Sequence, residues 1–198
     1  MIDLGLVVAR FLHYAAVTTL AGVAFFPLYA YANAESMVLL RWRRGVLLAA
    51  AMAALLSGVV WFVFSVANMS GTLADVADRE VLWTVLNETT FGGVWTARML
   101  LAVIVLGVIS IRVGATAGPQ PDRIMPFLTG VLLASLAGVG HSQIEEGMAR
   151  AIHVTSDAAH LLAAGAWLGV VTIRPVAGPV RAPRRFVGWR LRIRHRSV

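Results

Sequence analysis

The sequence predicts an all-α membrane protein, a polytopic bundle of about five transmembrane helices. Hydrophobic residues make up 59% of the 198 residues, and the mean hydropathy is +0.77. Soluble domains hold only about 45–50% apolar residues. Several apolar runs approach or exceed the ~18–20 residues that cross a bilayer as a helix. The connections between these runs alternate between arginine-rich and acid-rich, as expected of loops on opposite sides of a membrane.

Five segments are expected to cross the membrane. They are Leu4–Ala30, Gly45–Ala67, Phe91–Ile111, Met125–Gly140 and Ala151–Val171. The fifth segment begins with polar turns, so hydropathy alone identifies it weakly. Small residues let membrane helices approach closely, and six glycines are candidates for such contacts: Gly22, Gly58, Gly107, Gly130, Gly165 and Gly169.

Arginine placement predicts that the N-terminus lies outside and the C-terminus inside. Connection 31–44 carries three Arg and one Glu, and connection 112–124 carries two Arg and one Asp. Connection 68–90 carries four acids and one Arg, and connection 141–150 two Glu and one Arg. Because cytoplasmic loops are enriched in basic residues, the first and third connections are expected inside. Apolar residues near helical spacing also predict a short interfacial helix over Leu73–Leu86.

The start of the chain superficially resembles a signal peptide, because 32–34 reads Ala-Asn-Ala. The first three residues are not basic, however, and Arg41, Arg43 and Arg44 follow the apolar run. We therefore expect the first segment to be a retained membrane helix.

The charge distribution predicts two parts, a transmembrane domain over 1–172 and a basic tail over 173–198. From Arg174 onward there are eight Arg, three Pro and no acid, whereas residues 1–173 hold nine Arg against ten acids, a net of −1. The formal charge of +7 therefore belongs to the tail. Two interpretations stay open: a disordered cytoplasmic tail held by anionic lipid, and the frameshifted end of a truncated reading frame.

Absent residue types exclude several classes of function. The chain has no cysteine, which excludes disulfides and thiolate metal sites. It has no lysine and no G-x-x-x-x-G-K-[ST] motif, so ATP-driven transport is not expected. We expect no enzymatic activity, membrane lipid as a partner and no nucleic-acid partner; the sequence leaves the oligomeric state open.

Four of the five histidines are expected in the outer half of the membrane. His13 lies in the first segment, His141 at the end of the fourth, and His153 and His160 in the fifth. His153, Asp157 and His160 have the spacing i, i+4, i+7, which places them on one helix face. Because a charged residue at mid-membrane costs roughly 2.5–3.5 kcal/mol, these residues predict a metal site, a proton path or a haem site. Interhelical hydrogen bonding is the structural alternative.

Imidazole suits copper and zinc, and thioether suits Cu(I). Met148, between His141 and His153, is therefore a candidate auxiliary ligand, although ordinary packing also explains a methionine there.

Arg10 and Arg98 are two further charged residues within apolar segments. One interpretation is that both reach up to the outer surface, with Trp95 as an interfacial anchor. The other is an ion pair with Asp157 or with the 145–146 glutamate pair.

At these residues the chain resembles the CopD family of bacterial inner-membrane copper proteins. The resemblance covers about residues 5–170. It rests on three sets of residues: Arg10 and His13 followed by Gly22 and Phe25; Phe91-Gly92 with Trp95 and Arg98; and Gly140-His141 followed by His153, Asp157 and the run from His160 to Gly169, HLLAAGAWLG.

The resemblance implies copper binding and transport at the inner membrane, beside a periplasmic CopC-type copper-binding partner. It implies that His141, His153 and His160 are the metal residues, with His13 as a fourth and Asp157 orienting an imidazole. Family members continue with further helices, so the chain is expected to be a C-terminally truncated member. Two other functions stay open: a b-type haem cytochrome ligated by His13 with His153 or His160, and a non-catalytic membrane anchor or scaffold subunit.

Overall fold

The structure, a computed structural model, describes residues 1–30, 36–112, 123–139 and 147–177. In these ranges the regular secondary structure is entirely helical. The α-helices are α1 (Ile2–Ala30), α2 (Met37–Ser70), α3 (Arg79–Glu88), α4 (Thr90–Arg112), α5 (Ile124–Ala134) and α6 (Gly147–Ala177). Two 3₁₀ segments, Ala74–Ala77 and Ser135–Val139, precede α3 and follow α5.

Each of the five predicted membrane segments corresponds to a helix, which confirms the predicted fold class. Helices α1, α2, α4 and α6 are long and apolar enough to cross a membrane. The fourth predicted segment is shorter, since α5 and its 3₁₀ extension form an apolar helix over Ile124–Gly138. The side of the membrane on which each connection lies stays a prediction.

Helix α2 begins at Met37, eight residues before the predicted Gly45. The Ser36 side chain caps this end by accepting a hydrogen bond from Leu39 N at 3.3 Å. The helix therefore includes the arginines that were assigned to the first connection. Long arginine side chains can remain on a helix and still reach the membrane surface, so the charge pattern does not mark the helix start. At the other end, Gly71 adopts φ 94°, the left-handed conformation that favours glycine.

The connection between α2 and α4 contains a short helix, as predicted, but the α-helix begins at Arg79 rather than Leu73, after a separate 3₁₀ turn; its interfacial location stays a prediction. The Asp78 carboxylate caps α3 by accepting hydrogen bonds from Glu80 N at 2.8 Å and Val81 N at 3.5 Å. Val85 of α3 is buried in a small cluster with Phe62 and Val66 of α2. These contacts attach α3 to the end of the bundle where the buried charged residues lie.

Helix α6 continues to Ala177, past the predicted domain boundary at residue 172. Pro175 lies in its last turn, where its missing N–H removes one helical hydrogen bond. The rest of the Arg-rich tail, 178–198, lies outside the described residues, and its assignment as a separate tail stays a prediction.

Helix α1 lies at the centre of the bundle and packs against α2, α5 and α6. Its approach to α6 depends on glycine, because a Cβ on Gly22 or Gly169 would collide with backbone atoms of the other helix. Near this contact, the Tyr29 hydroxyl donates to Ala166 O at 2.6 Å. The prediction that Gly107 mediates close packing is wrong, since a Cβ there would meet nothing within 4 Å among the described residues.

This central position of α1 gives its consecutive residues His13 and Tyr14 different surroundings. The His13 ring contacts α2 and α4, whereas Tyr14 lines a cleft that α6 closes on its far side. One turn of α1 therefore contributes His13 to the contacts with α2 and α4, and Tyr14 to the cleft beside α6.

Candidate metal site and buried arginine cluster

His13 is fully buried, and both of its ring nitrogens have hydrogen-bond partners. Nδ1 lies 3.0 Å from Ala54 O and 3.2 Å from Ser57 Oγ, both on α2. Nε2 lies 2.8 Å from a terminal nitrogen of Arg98 on α4. Since a guanidinium can only donate, Nε2 is the acceptor, and the ring proton resides on Nδ1 and points to Ala54 O. His13 is therefore held in one neutral tautomer by two helices.

Arg98 is also buried, with 2% of its surface exposed. Besides the bond to His13, it donates to Ser135 Oγ at 2.8 Å, and that hydroxyl donates in turn to Leu132 O at 2.7 Å. Its hydrogen-bond partners among the described residues are neutral, and its Nε has no partner there. Arg98 therefore does not extend to the outer surface as the first interpretation expected, because its guanidinium points into the bundle.

The Trp61 ring packs against both His13 and Arg98. Its ring centroid lies 5.4 Å from that of His13 and 5.9 Å from the guanidinium carbon of Arg98. The guanidinium carbon of Arg10, an exposed residue, lies 5.7 Å from the same centroid. Both arginines thus gain a cation–π contact with one tryptophan. Trp95, the predicted interfacial anchor, instead donates its indole N–H to Gly58 O at 2.9 Å.

A cleft of about 190 Å³ lies between α1, the 3₁₀ segment that follows α5, and α6. It is lined by Tyr14, Leu136, Ala137, Asp157, His160 and Leu161. Asp157 and His160 contribute to it from consecutive turns of α6, and Tyr14 contributes from α1. The Tyr14 hydroxyl donates to Leu136 O at 3.5 Å, the long limit for a hydrogen bond. The cleft therefore places a carboxylate, an imidazole and a phenol around one space.

The structure brings together only some of the predicted site residues. Asp157 and His160 line the cleft, but both are exposed, as is His153 one turn before Asp157. Met148 is exposed at the start of α6. His141 belongs to 140–146 and lies outside the described residues, as do both glutamates of that connection.

His13 is not brought together with His153 and His160, because its ring turns toward α2 and α4. Within the described ranges, no three His, Asp or Glu side chains are close enough to hold one metal ion. A metal role for each of the four histidines stays a prediction, and the hydrogen bonds at both nitrogens of His13 oppose that role for this residue.

Sequence analysis missed Tyr14, Ser57 and Ser135. The two serines are common in membrane helices, and nothing in their spacing marks them as partners of a buried charge. Tyr14 had a usable signal, since it is a polar aromatic residue next to His13 in the middle of an apolar segment.

The comparisons with known proteins decide the family. The model of the family described as copper resistance protein D-like, N-terminal domain, matches residues 1–152. The chain belongs to this family. As a member of this family with four helices that could span a bilayer, it is a multi-pass protein of the bacterial inner membrane.

Two curated proteins are similar to this family member. Copper resistance protein D of Pseudomonas syringae pv. tomato is 33% identical over 170 residues, which are 83% of this chain and 53% of that protein. Inner membrane protein YebZ of Escherichia coli (strain K12) is 33% identical over 117 residues, which are 56% of this chain and 39% of that protein. The chain thus spans about half or less of the length of these relatives. No solved structure matches it.

Proposed function

We propose that this chain binds copper in the cleft between α1 and α6 and passes it across the inner membrane. The observation that carries the proposal is that Asp157 and His160, two ionisable residues of a membrane helix, line the same cleft. Ionisable groups within membrane segments mark ion or proton pathways. Imidazole is a suitable copper ligand, and a carboxylate compensates the charge of the ion. The name of the Pseudomonas syringae relative, copper resistance protein D, supports copper as the ion.

The other predicted ligands lie close to Asp157 and His160 in the sequence. His153 lies one turn before Asp157, Met148 lies at the start of the same helix, and His141 lies just before it. In our proposal His141 and His153 receive copper first, with Met148 as a soft auxiliary ligand, and His160 receives it next. By the predicted topology this end of α6 faces the periplasm, so a periplasmic CopC-type copper-binding protein is the proposed donor.

Copper is the transported substrate in this proposal, and the protein is not an enzyme. The chain has no nucleotide-binding motif, so movement of copper follows its own gradient or is coupled to another ion. The His13 ring contacts α2 and α4 rather than the cleft, and Arg98 is hydrogen-bonded to His13 and Ser135. We assign them to fixing the positions of α1, α2 and α4 rather than to ligation.

The haem alternative needs a histidine ligand from each of two helices. His13 is the α1 candidate, but Arg98 occupies its Nε2 and Ala54 O its Nδ1–H. Ligation of a haem iron by His13 would leave the buried guanidinium without one of its acceptors. This geometry favours copper over haem.

Copper flux into proteoliposomes tests the proposal. The wild-type chain is reconstituted with an encapsulated fluorescent copper chelator, beside Asp157→Asn, His160→Ala and the control Ser156→Ala. Ser156 is exposed on α6 next to Asp157 but does not line the cleft. We expect flux with the wild type and the control, and flux at least about tenfold slower with either cleft variant, the size of effect that changes around metal ligands commonly cause.

Three results would contradict the proposal. Equal flux in all four proteins would remove the cleft from the pathway. A purified protein that is red, with a haem Soret band, and does not transport copper would favour the cytochrome alternative. Substitutions that reduce the amount of folded protein but leave the copper flux per folded molecule unchanged would favour the scaffold alternative.

A further inference from the structure

The cleft between α1 and α6 contains a third potential ligand, the hydroxyl of Tyr14. We propose that Tyr14 coordinates copper together with Asp157 and His160, and that the site is therefore selective for Cu(II) over Cu(I). This inference rests on the proposed copper function, and it adds both a ligand and an oxidation state.

A single helix offers ligands to an ion from one direction only. Asp157 and His160 are three residues apart on α6, so they approach an ion from one side only. A stable site needs donors from another direction. Across the cleft that direction is occupied by α1, and its residue there is Tyr14.

The surroundings of the Tyr14 hydroxyl suit this role. Among the described residues its hydrogen bond is the long one to Leu136 O, at 3.5 Å, so little is lost when the oxygen turns to another partner. A volume of about 190 Å³ admits an ion with water ligands, since one water takes about 30 Å³ in the liquid.

The donor types then decide the oxidation state. The cleft offers a carboxylate oxygen, a phenol oxygen and an imidazole nitrogen. Cu(II) accepts such N and O donors, whereas Cu(I) is selected by thiolate and thioether sulfur. No sulfur atom is among the residues that line the described cleft, and the chain has no cysteine. On coordination the phenol releases its proton to water, and no electron is transferred.

Visible and electron paramagnetic resonance spectroscopy of the full chain in lipid nanodiscs tests the inference. Cu(II) is added to the wild type, to Tyr14→Phe and to Tyr29→Phe. Tyr29 is the matched control because it is another α1 tyrosine whose hydroxyl contacts α6, through Ala166 O. Each protein is also titrated with Cu(I) under a reductant, and its copper content is measured by elemental analysis.

We expect a phenolate-to-Cu(II) charge-transfer band in the wild type and in Tyr29→Phe, and its absence in Tyr14→Phe. The Cu(II) affinity of Tyr14→Phe should fall by at least about tenfold, and Cu(I) should bind the wild type more weakly than Cu(II). Cu(II) binding by the wild type without such a band, an unchanged Cu(II) affinity in Tyr14→Phe, or Cu(I) binding tighter than Cu(II) would overturn this inference and leave the proposed function standing. Failure of the wild type to bind either ion would overturn both.

Discussion

Arg98 is a guanidinium in the interior of a membrane bundle, 2% exposed and bonded to neutral partners. Such a group is costly unless its donors are satisfied. His13 and Ser135 each accept one bond, and the face of Trp61 adds a cation–π contact. The fixed tautomer of His13 is part of this arrangement, because only an unprotonated Nε2 can accept from Arg98.

Removal of the His13 ring should therefore destabilise the protein without reducing its copper content. His13→Ala leaves a buried charged donor without its acceptor, which should lower the free energy of unfolding by about 1.5–3 kcal/mol, the range for hydrogen bonds to charged groups. Thermal unfolding in detergent measures the change, and Thr96→Ala, an exposed position on the same helix as Arg98, is the control. Loss of copper at unchanged stability would instead make His13 a ligand.

Individual residues were predictable only where they were anomalous in type. His13, Arg98 and Asp157 could be singled out because ionisable groups are rare in apolar segments. Their partners could not be identified, since a contact between helices depends on how each helix is rotated about its axis. The amphipathic signal that reveals this rotation in soluble proteins is weak when most of the outer surface is also apolar.

At the scale of elements, the helices of the five predicted segments were predictable from the apolar runs, although only four of the described helices are long and apolar enough to cross a membrane. The ends were less predictable, because α2 and α6 extend beyond their apolar runs. The α1–α6 contact depends on small residues, and composition identified Gly22 and Gly169 correctly but also suggested Gly107. Composition alone does not say which face of a helix meets a neighbour.

A pair of glycine substitutions tests the α1–α6 contact. The added methyl in Gly169→Ala meets the backbone of Gly22, which cannot move aside as a side chain can. We expect a loss of about 1–3 kcal/mol of unfolding free energy, the usual cost of overpacking. Gly107→Ala meets nothing within 4 Å and should stabilise α4 by up to about 1 kcal/mol through helix propensity.

Chemical denaturation in the same detergent measures both variants. Equal stability of the two would show that α1 and α6 do not approach as closely as their glycines allow.

At the scale of the whole molecule, the function depends on which end of the bundle faces the periplasm. The arginine distribution predicts that the connection between α2 and α4 lies outside, and this places the cleft in the outer half. The absence of native cysteines makes single-cysteine labelling a direct test. Met37 at the start of α2 and Leu73, three residues past its other end, are exposed positions.

In intact spheroplasts, Leu73→Cys should react with a membrane-impermeant maleimide, whereas Met37→Cys should react only after permeabilisation. The reverse pattern would place the cleft near the cytoplasm. Capture from a periplasmic donor would then be wrong even if copper binds.

The central claim is that Asp157 and His160 bind copper in the cleft between α1 and α6, and copper stoichiometry tests it most directly. The purified chain is loaded with copper, dialysed and analysed for metal per polypeptide, beside an Asp157→Asn/His160→Ala double variant and the Ser156→Ala control. The account predicts stoichiometric copper in the wild type and the control and its loss in a double variant that remains folded. Equal copper in all three proteins would contradict it.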